Sequence, residues 1–160
     1  MAFSSVSSML DACKQSGRPL YEVILESDLA ESGLTRAESE AEMHRLWGVI
    51  CATSAGYCGA DRSMSGYAGG DAAKVAQAAG EGRLYADGYF AEVIAEALKT
   101  AECNACMKRI VAAPTAGSCG VLPAVLLPLF RAGRADEDAV CRALYVAAGF
   151  GQVVAARATL

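Results

Sequence analysis

Two short segments of this 160-residue chain combine glycine with hydroxyl and acidic side chains, residue types that bind small polar molecules. The first, the glycine loop, is Ser-Met-Ser-Gly-Tyr-Ala-Gly-Gly-Asp at residues 63–71, and the second, the threonine turn, is Pro-Thr-Ala-Gly-Ser at residues 114–118. The threonine turn interrupts residues 103–130, in which only Lys108 and Arg109 are charged. A helix that stops at such a turn and restarts points free backbone N–H groups into the break, where they can hold an anion. The two segments therefore predict a site for a small anionic molecule.

Three motifs resemble the α chain of the iron–sulfur-dependent L-serine dehydratases in their order and spacing. They are Ser-Gly-Tyr-Ala-Gly-Gly-Asp-Ala at 65–72, Asn-Ala-x-Met at 104–107 and Ala-Pro-Thr-Ala-Gly-Ser-Cys-Gly-Val-Leu-Pro at 113–123. The resemblance extends from about Ser5 to the end of the sequence, and its Pro-Thr-Ala-Gly block is the most specific part. It implies a cytoplasmic lyase of amino-acid metabolism and gluconeogenesis, an L-serine ammonia-lyase that forms pyruvate and ammonia.

The resemblance also implies a [4Fe–4S] cluster. In the family, the cysteines that bind this cluster follow a helix like residues 150–157, and the sequence ends at Leu160 before such a motif. We therefore expect the N-terminal half of an α chain, with its cluster ligands beyond Leu160. A C-terminal α segment and a β portion would be its partners. This half would supply the substrate-binding cradle and be inactive alone, and we assign no catalytic residue and no metal ligand within it.

The resemblance places the cradle in the glycine loop, the threonine turn and the helix between them. Glycines would let the backbone approach the substrate closely. Asp71 would pair with the substrate ammonium or only cap a helix, and Asn104 would hydrogen-bond in the pocket or be a satisfied buried amide. The threonine turn would hold the carboxylate, or be a simple break between helices. The expected substrate-binding residues are Ser65, Gly66, Gly69, Gly70, Asp71, Asn104, Thr115, Gly117 and Ser118.

The cysteines and the sole histidine allow other interpretations. The seven cysteines are an odd number without a secreted disulfide pattern, which favours a reducing cytoplasm. Cys103, Cys106 and Cys119 could supply three ligands to a metal or redox site, or be small core residues. We expect the pKa of Cys119 to be lowered, because it lies at a helix start. His44 is a candidate base, but we expect it at the surface among acidic residues.

The composition limits the possible partners. Hydrophobic residues make up 54% of the chain, so some apolar surface is expected to pack against a second copy or a missing partner. The net charge of −4 and the lack of a basic stripe argue against nucleic acid. We see no signal peptide. The uncharged residues 110–130 are long enough to span a membrane, but their turn would leave backbone groups unpaired in lipid, so a buried core is expected.

Helical signals dominate the sequence and strand signals are absent. We expect one all-α domain over residues 1–160, a compact bundle of about six to eight helices in which interrupted helices surround a polar pocket. The predicted helices cover residues 5–16, Pro19 to about Glu26, Thr35 to about Gly56, 71–79, 88–111, 120–131, and the segment from Asp136 or Asp138 onward.

Local signals set most of these boundaries. Ser4 or Ser5 is the expected cap of the first helix. Thr35 and Glu38 form a capping box, Asp71 and Asp87 stand where helix N-caps are expected, and Pro114 closes the helix before it. Pro123 and Pro128 fall in the helix at 120–131, which Pro128 should kink or shorten. Gly149 and Gly151 should bend or interrupt the last helix.

Two other classes of function remain open. One is a non-catalytic helical module that binds a partner carrying the cluster cysteines. The other is a metal or redox protein built on Cys103, Cys106 and Cys119.

Overall fold

A computed structural model describes residues 3–85 and 88–157, which form seven α-helices, one short 3₁₀ helix and no strand. The prediction of an all-α fold with six to eight helices is therefore confirmed. Asp87, the predicted cap of the fifth helix, lies outside the described residues. The helices are α1 (Val6–Ser16), α2 (Leu20–Ser32), α3 (Arg36–Ala55), α4 (Asp71–Gly80), α5 (Gly88–Ala105), the 3₁₀ helix (Ala116–Ser118), α6 (Val121–Arg131) and α7 (Glu137–Arg157).

The chain divides into two compact units. The terminal unit consists of α1, α2, the first part of α3 up to Trp47, and α7. The central unit, Gly48–Asp136, contains the end of α3 together with α4, α5 and α6. The single domain over residues 1–160 stays a prediction, and each unit is described by itself.

Side-chain caps start two helices of the terminal unit where the sequence predicts them. The Ser5 hydroxyl accepts a hydrogen bond from the Ser8 N–H at 3.1 Å. At α3, Thr35 Oγ1 accepts from the Glu38 N–H at 3.3 Å while the Glu38 carboxylate accepts from the Thr35 N–H at 2.8 Å. The helix α2 runs well past Glu26, because its left-handed C-cap is Gly33, whose φ is 72°.

A close approach of α2 and α7 organises the core of the terminal unit. Met9, Ile24 and Val153 are buried together. Gly149 is also buried, and a Cβ atom there would lie 2.4 Å from Cδ1 of Ile24. The predicted interruption at Gly149 and Gly151 is wrong, since α7 is one continuous helix. Glycine at 149 leaves room for the neighbouring helix and does not break its own.

Of the described helices, α7 alone is long and apolar enough to cross a membrane. This is a weak indication, because core helices of soluble proteins meet the same criterion of length and composition. In the terminal unit α7 packs against α2. Residues 110–130 form no single span, since a non-helical segment and the 3₁₀ helix precede α6.

In the central unit α5 ends at Ala105, well before the predicted residue 111. The Lys108 N–H returns to the Cys103 carbonyl at 2.9 Å, and Met107 between them has a φ of 60°. This is the hydrogen bond of a Schellman C-cap, in which glycine is the usual left-handed residue. Because methionine occupies that position, the sequence does not reveal the helix end.

The carboxylate of Glu96 joins α3, α5 and α6 inside the central unit. Its side chain is fully buried, and it accepts hydrogen bonds from Lys99 Nζ at 2.7 Å, Arg131 Nη1 at 2.7 Å and Ser54 Oγ at 2.6 Å. Burial alone raises the pKa of Glu96, but the hydrogen bonds from these three partners bring it below the ordinary value. A buried charge of this kind is stable only while its partners remain. The cluster therefore holds the three helices together, and α6 continues through Pro128 to reach it at Arg131.

Three further polar contacts in the central unit involve the segment that follows α5. Thr53 Oγ1 donates to the Arg109 carbonyl at 2.9 Å, and Lys108 Nζ donates to the Gly56 carbonyl at 3.3 Å. Lys108 also pairs with the Asp61 carboxylate. These contacts attach the segment after α5 to the end of α3.

Candidate functional site

The glycine loop is a compact turn that only glycine permits at one position. The Ser63 N–H donates to the Ala68 carbonyl at 2.9 Å, and the Gly66 N–H donates to the Ser63 carbonyl at 2.8 Å. Gly69 has a φ of 126°, and a Cβ atom there would lie 2.2 Å from the Asp61 carbonyl oxygen. Ser65 and Gly66 are exposed at the tip of this loop.

The carboxylate of Glu102, on α5, binds the end of the glycine loop. Its two oxygens accept hydrogen bonds from the N–H groups of Gly70 (2.9 Å), Asp71 (2.7 Å) and Ala72 (3.1 Å) and from the Tyr57 hydroxyl (2.7 Å). Glu102 is 7% exposed. The N-terminus of α4 thus holds a carboxylate, as the sequence predicts for such a helix start, but the protein itself supplies it.

Sequence reasoning missed both Glu102 and Tyr57. Burial, together with the hydrogen bond to Glu102, raises the pKa of Tyr57 to about 12, so its hydroxyl stays a donor. One signal could have pointed to Glu102, namely an acidic residue two positions before Asn104 near the end of an alanine-rich helix. A helix start without a side-chain cap needs an acceptor from elsewhere.

Asp71 is the first residue of α4, so the prediction that it serves as the N-cap is wrong. The N-cap is Gly70, with a φ of 87°, and Glu102 satisfies the N–H groups that an aspartate cap would bind. The exposed Asp71 carboxylate accepts a 2.7 Å hydrogen bond from Lys74 Nζ, and this bond lowers the pKa of Asp71. Its side chain is therefore directed at a cation on its own helix.

The threonine turn is folded by a capping box of its own. Thr115 and Ser118 exchange the two side-chain-to-backbone hydrogen bonds of that motif, and Ser118 Oγ also donates to the Ala113 carbonyl at 3.0 Å. Thr115 and Gly117 are exposed. Asn104 Nδ2 donates to the Ala116 carbonyl at 3.1 Å, so the amide of Asn104 fixes the turn against α5.

The end of α5 thus contacts both predicted segments. Glu102 binds the glycine loop, and Asn104 binds the threonine turn. Residues two apart on a helix do not face the same way. Within residues 3–85 and 88–157, no hydrogen bond or ion pair joins the glycine loop to the threonine turn. The structure therefore brings each segment to one helix end and does not bring the two segments into polar contact.

A crevice beside Glu102 has no room for a water molecule. The Lys108–Asp61 ion pair lies at this crevice, and its lining residues are Tyr57, Cys58, Asp61, Glu102, Cys103, Cys106 and Lys108. The side chains that line this crevice therefore leave no space for a ligand beside Glu102.

The three cysteines considered for a metal site do not share one. The thiols of Cys103 and Cys119 are buried and donate to different carbonyls, those of Thr53 at 3.8 Å and Thr100 at 3.9 Å. Burial raises the pKa of Cys119, so the predicted lowering is wrong, because desolvation outweighs the effect of the helix start. In the described part of the chain no three His, Cys, Asp or Glu side chains are grouped to hold a metal ion. These residues do not fit the iron–sulfur cluster that the resemblance implies.

His44 belongs to the terminal unit and is partly exposed, as predicted. Its Nδ1 atom lies 3.0 Å from an oxygen of Glu137, and Nε2 lies 3.8 Å from Asp138. His44 therefore lies among acidic side chains, as expected.

The comparisons with known proteins agree on one family. Residues 15–160 match the family described as serine dehydratase alpha chain. The chain is 28% identical over 157 residues to “L-serine dehydratase, alpha chain” of Peptoniphilus asaccharolyticus, covering 98% of this chain and 54% of that protein. It is also 28% identical over 159 residues to “Probable L-serine dehydratase, alpha chain” of Bacillus subtilis (strain 168), covering 99% and 53%.

A protein of the same printed name from Latilactobacillus sakei is 45% identical over 64 residues, which cover 40% of this chain and 31% of that protein. No solved structure matches the chain. The chain spans about half the length of the first two relatives. With a family match over nearly its whole length and all three motifs in place, the chain belongs to the serine dehydratase alpha chain family.

Proposed function

We propose that this chain is the part of an L-serine dehydratase α chain that supplies the substrate-binding cradle, and that it does not turn over substrate alone. The whole enzyme would convert L-serine to pyruvate and ammonia as a lyase. Membership of the family supports this proposal, as do the printed names of the relatives.

The observation that carries the proposal is the contact of both predicted segments with the end of α5. Three consecutive N–H groups of the glycine loop and α4 converge on one carboxylate, and the amide of Asn104 fixes the threonine turn. Both loops are therefore ordered by the protein before a ligand binds. Such preorganisation reduces the entropy lost on binding.

The reaction would remove the α-proton of L-serine and expel its hydroxyl group as water. The resulting 2-aminoacrylate would tautomerise to an imine, which water hydrolyses to pyruvate and ammonia. In our proposal the threonine turn holds the substrate carboxylate through the Gly117 N–H and through the hydroxyls of Thr115 and Ser118, which would exchange hydrogen bonds within the turn for bonds to the substrate. The substrate ammonium would bind Asp71 in competition with Lys74.

We further propose that a C-terminal α segment and a β portion complete the enzyme in a reducing cytoplasm. The relatives carry about as much chain again as the part matched here. Ile94 on α5 and Val121 and Val125 on α6 are large apolar residues that are 44%, 59% and 48% exposed. These exposed apolar side chains of the central unit would pack against the C-terminal α segment. An iron–sulfur cluster would be bound outside this chain, and we derive no step through it.

The test is a binding titration of L-serine into the purified chain, together with an anaerobic pyruvate assay. We expect saturable binding without steady pyruvate formation. Thr115→Val removes the hydroxyl of one capping box, and Thr35→Val removes the same hydroxyl from the capping box of α3. Both variants lose a cap, which costs about 1 kcal/mol of stability.

The outcomes separate binding from folding. Weaker serine binding in Thr115→Val and unchanged binding in Thr35→Val would support the cradle. Steady pyruvate production by the chain alone would refute its inactivity. An absence of serine binding at any concentration tested would refute the cradle.

A further inference from the structure

The terminal unit contains a second candidate site, built from side chains that the predicted cradle does not include. Faces of α2, α3 and α7 surround a cavity of ≈ 250 Å³ that opens to solvent. Arg36, Glu40 and His44 line it at successive turns of α3, and Asp138, Arg142 and Tyr145 line it from α7. Side chains three or four residues apart share one face of a helix, so the cavity lies where helix faces meet.

Arg142, which lines this cavity, is a cation without a carboxylate partner among the described residues. The guanidinium of Arg142 lies over the ring of Tyr21, 5.7 Å from its centroid. Among the described residues no carboxylate forms an ion pair with Arg142. The other arginine of the cavity, Arg36, lies between Glu22 at 3.6 Å and Glu40 at 3.5 Å. Arg142 is therefore the group that can accept an anionic ligand, since its donors match a carboxylate in a bidentate geometry.

The charged groups in the lining of this cavity are mostly acidic, and His44 also lines it. Glu22, Glu40 and Asp138 bring three carboxylates to the cavity, against two arginines. This excess of negative charge opposes a ligand that is only anionic, such as phosphate, and the arginines oppose a ligand that is only cationic. A molecule with one carboxylate and one ammonium group complements both parts of the wall.

The size of the cavity agrees with a small metabolite. A volume of ≈ 250 Å³ is slightly below the range of about 300–1,000 Å³ that is typical of sites for drug-sized ligands. The buried Tyr145 hydroxyl is 2.8 Å from the Ser39 hydroxyl, so the floor of the cavity is polar and held in place. A free amino acid has the charges and the dimensions for this space.

We propose that the terminal unit binds a free α-amino acid in this cavity, with its carboxylate on Arg142 and its ammonium on the acidic wall of Glu22, Glu40 and Asp138. This site is additional to the cradle of the proposed function. It gives the chain a second place at which an amino acid can bind, independent of catalysis.

The test uses the 160-residue chain and the twenty proteinogenic amino acids as probes. Each is titrated while backbone NMR shifts are followed, with the N-acetyl derivative of any binder as a second probe. We expect at least one amino acid to bind with a Kd of about 1 mM or tighter. Shifts should concentrate on α2, α3 and α7, and N-acetylation should abolish them because it removes the ammonium.

Two arginine variants provide the matched comparison. Arg142→Gln removes the cation of the cavity, and Arg134→Gln removes a guanidinium that lies over Tyr89 in the central unit at the same distance of 5.7 Å. Arg142→Gln should weaken binding about tenfold or more, because a charge-assisted pair is lost, while Arg134→Gln should leave it unchanged. Thermal unfolding of both variants checks that they fold.

The inference fails if no amino acid shifts residues of α2, α3 and α7, or if these shifts survive in Arg142→Gln. If serine is the only amino acid that binds, and its binding depends on Thr115 and not on Arg142, the cradle is supported and this second site is refuted. Serine binding that depends on Arg142 and not on Thr115 would support the second site and leave the cradle without support.

Discussion

Glu102 accepts a 2.7 Å hydrogen bond from the backbone N–H of Asp71, the first residue of α4. The acceptor lies on α5, thirty-one residues further along the chain. The start of α4 therefore depends on a different helix for its cap. Because the glycine loop leads directly into α4, its conformation depends on the same carboxylate.

Glu102→Gln should release this end of the glycine loop. Glutamine keeps the shape of the side chain but replaces one of its two acceptor oxygens with an NH₂ donor, and the charge is lost. We expect the free energy of unfolding to fall by about 1–3 kcal/mol. Hydrogen exchange at the amides of Gly70, Asp71 and Ala72 should accelerate. Glu81→Gln is the control, since Glu81 is exposed and pairs with Arg83, and an unchanged exchange rate in Glu102→Gln would contradict this prediction.

Glu96 should contribute to the loss of stability in acid. Its pKa is lowered in the folded protein from 4.5, so its stabilisation is complete above pH 4.5 and is lost as the pH falls through the lower folded value. Urea unfolding between about pH 6 and pH 3 should show a shallower pH dependence in Glu96→Gln than in the parent. Glu42→Gln is the control, because Glu42 is exposed and its pair with Arg45 contributes little. Equal slopes in the parent and Glu96→Gln would exclude this role.

The cysteines should differ in their reactivity. Burial and the charges of Glu137 and Asp138 raise the pKa of Cys141 to about 11, and burial also raises the pKa of Cys103 and Cys119. Iodoacetamide followed by peptide mapping should label the exposed Cys58 first and these three last. Because a thiol with a raised pKa ionises first in the unfolded chain, Cys141 should also reduce stability as the pH rises from 9.0 towards about 11. In urea all four should react alike, and early labelling of Cys141 in the folded chain would argue against its burial.

Gly149→Ala should destabilise the terminal unit through a clash with Ile24. The added methyl group would lie 2.4 Å from Cδ1 and 2.8 Å from Cγ1 of Ile24, and overpacking of this kind costs about 1–3 kcal/mol. Ile24→Val removes Cδ1, so the double variant should be less destabilised than the sum of the two single variants. Gly48→Ala is the control, because nothing lies within 4 Å of a Cβ atom there and alanine favours the helix. An additive double variant would show that the two residues do not interact.

The sequence predicts the helix boundaries that local hydrogen bonds define. Ser5 caps α1, and the Thr35–Glu38 box starts α3, because each motif is complete within four residues. The end of α5 and the continuity of α7 could not be predicted in this way. Met107 adopts a left-handed conformation that favours glycine, and Gly149 fits against a residue on another helix.

In the candidate site too, the features that depend on local sequence were predicted, and those that depend on tertiary contacts were not. The motifs indicated the glycine loop and the threonine turn, whereas Glu102, which binds the loop, became visible only from contacts across about thirty residues of sequence. The pKa of Cys119 was predicted with the wrong sign because its burial depends on tertiary packing. The cavity around Arg142 combines residues from three helices that no local pattern relates.

The contacts of residues 53–57 with residues 102–109 have a consequence for folding kinetics. Thr53 reaches Arg109, Gly56 reaches Lys108 and Tyr57 reaches Glu102 across 56, 52 and 45 positions of sequence. Contacts between residues so far apart require a large loop to close, and the entropic cost of closure precedes the gain. We therefore expect α4 and α5 to associate early in refolding. The hydrogen bonds between residues 53–57 and residues 102–109 should form last.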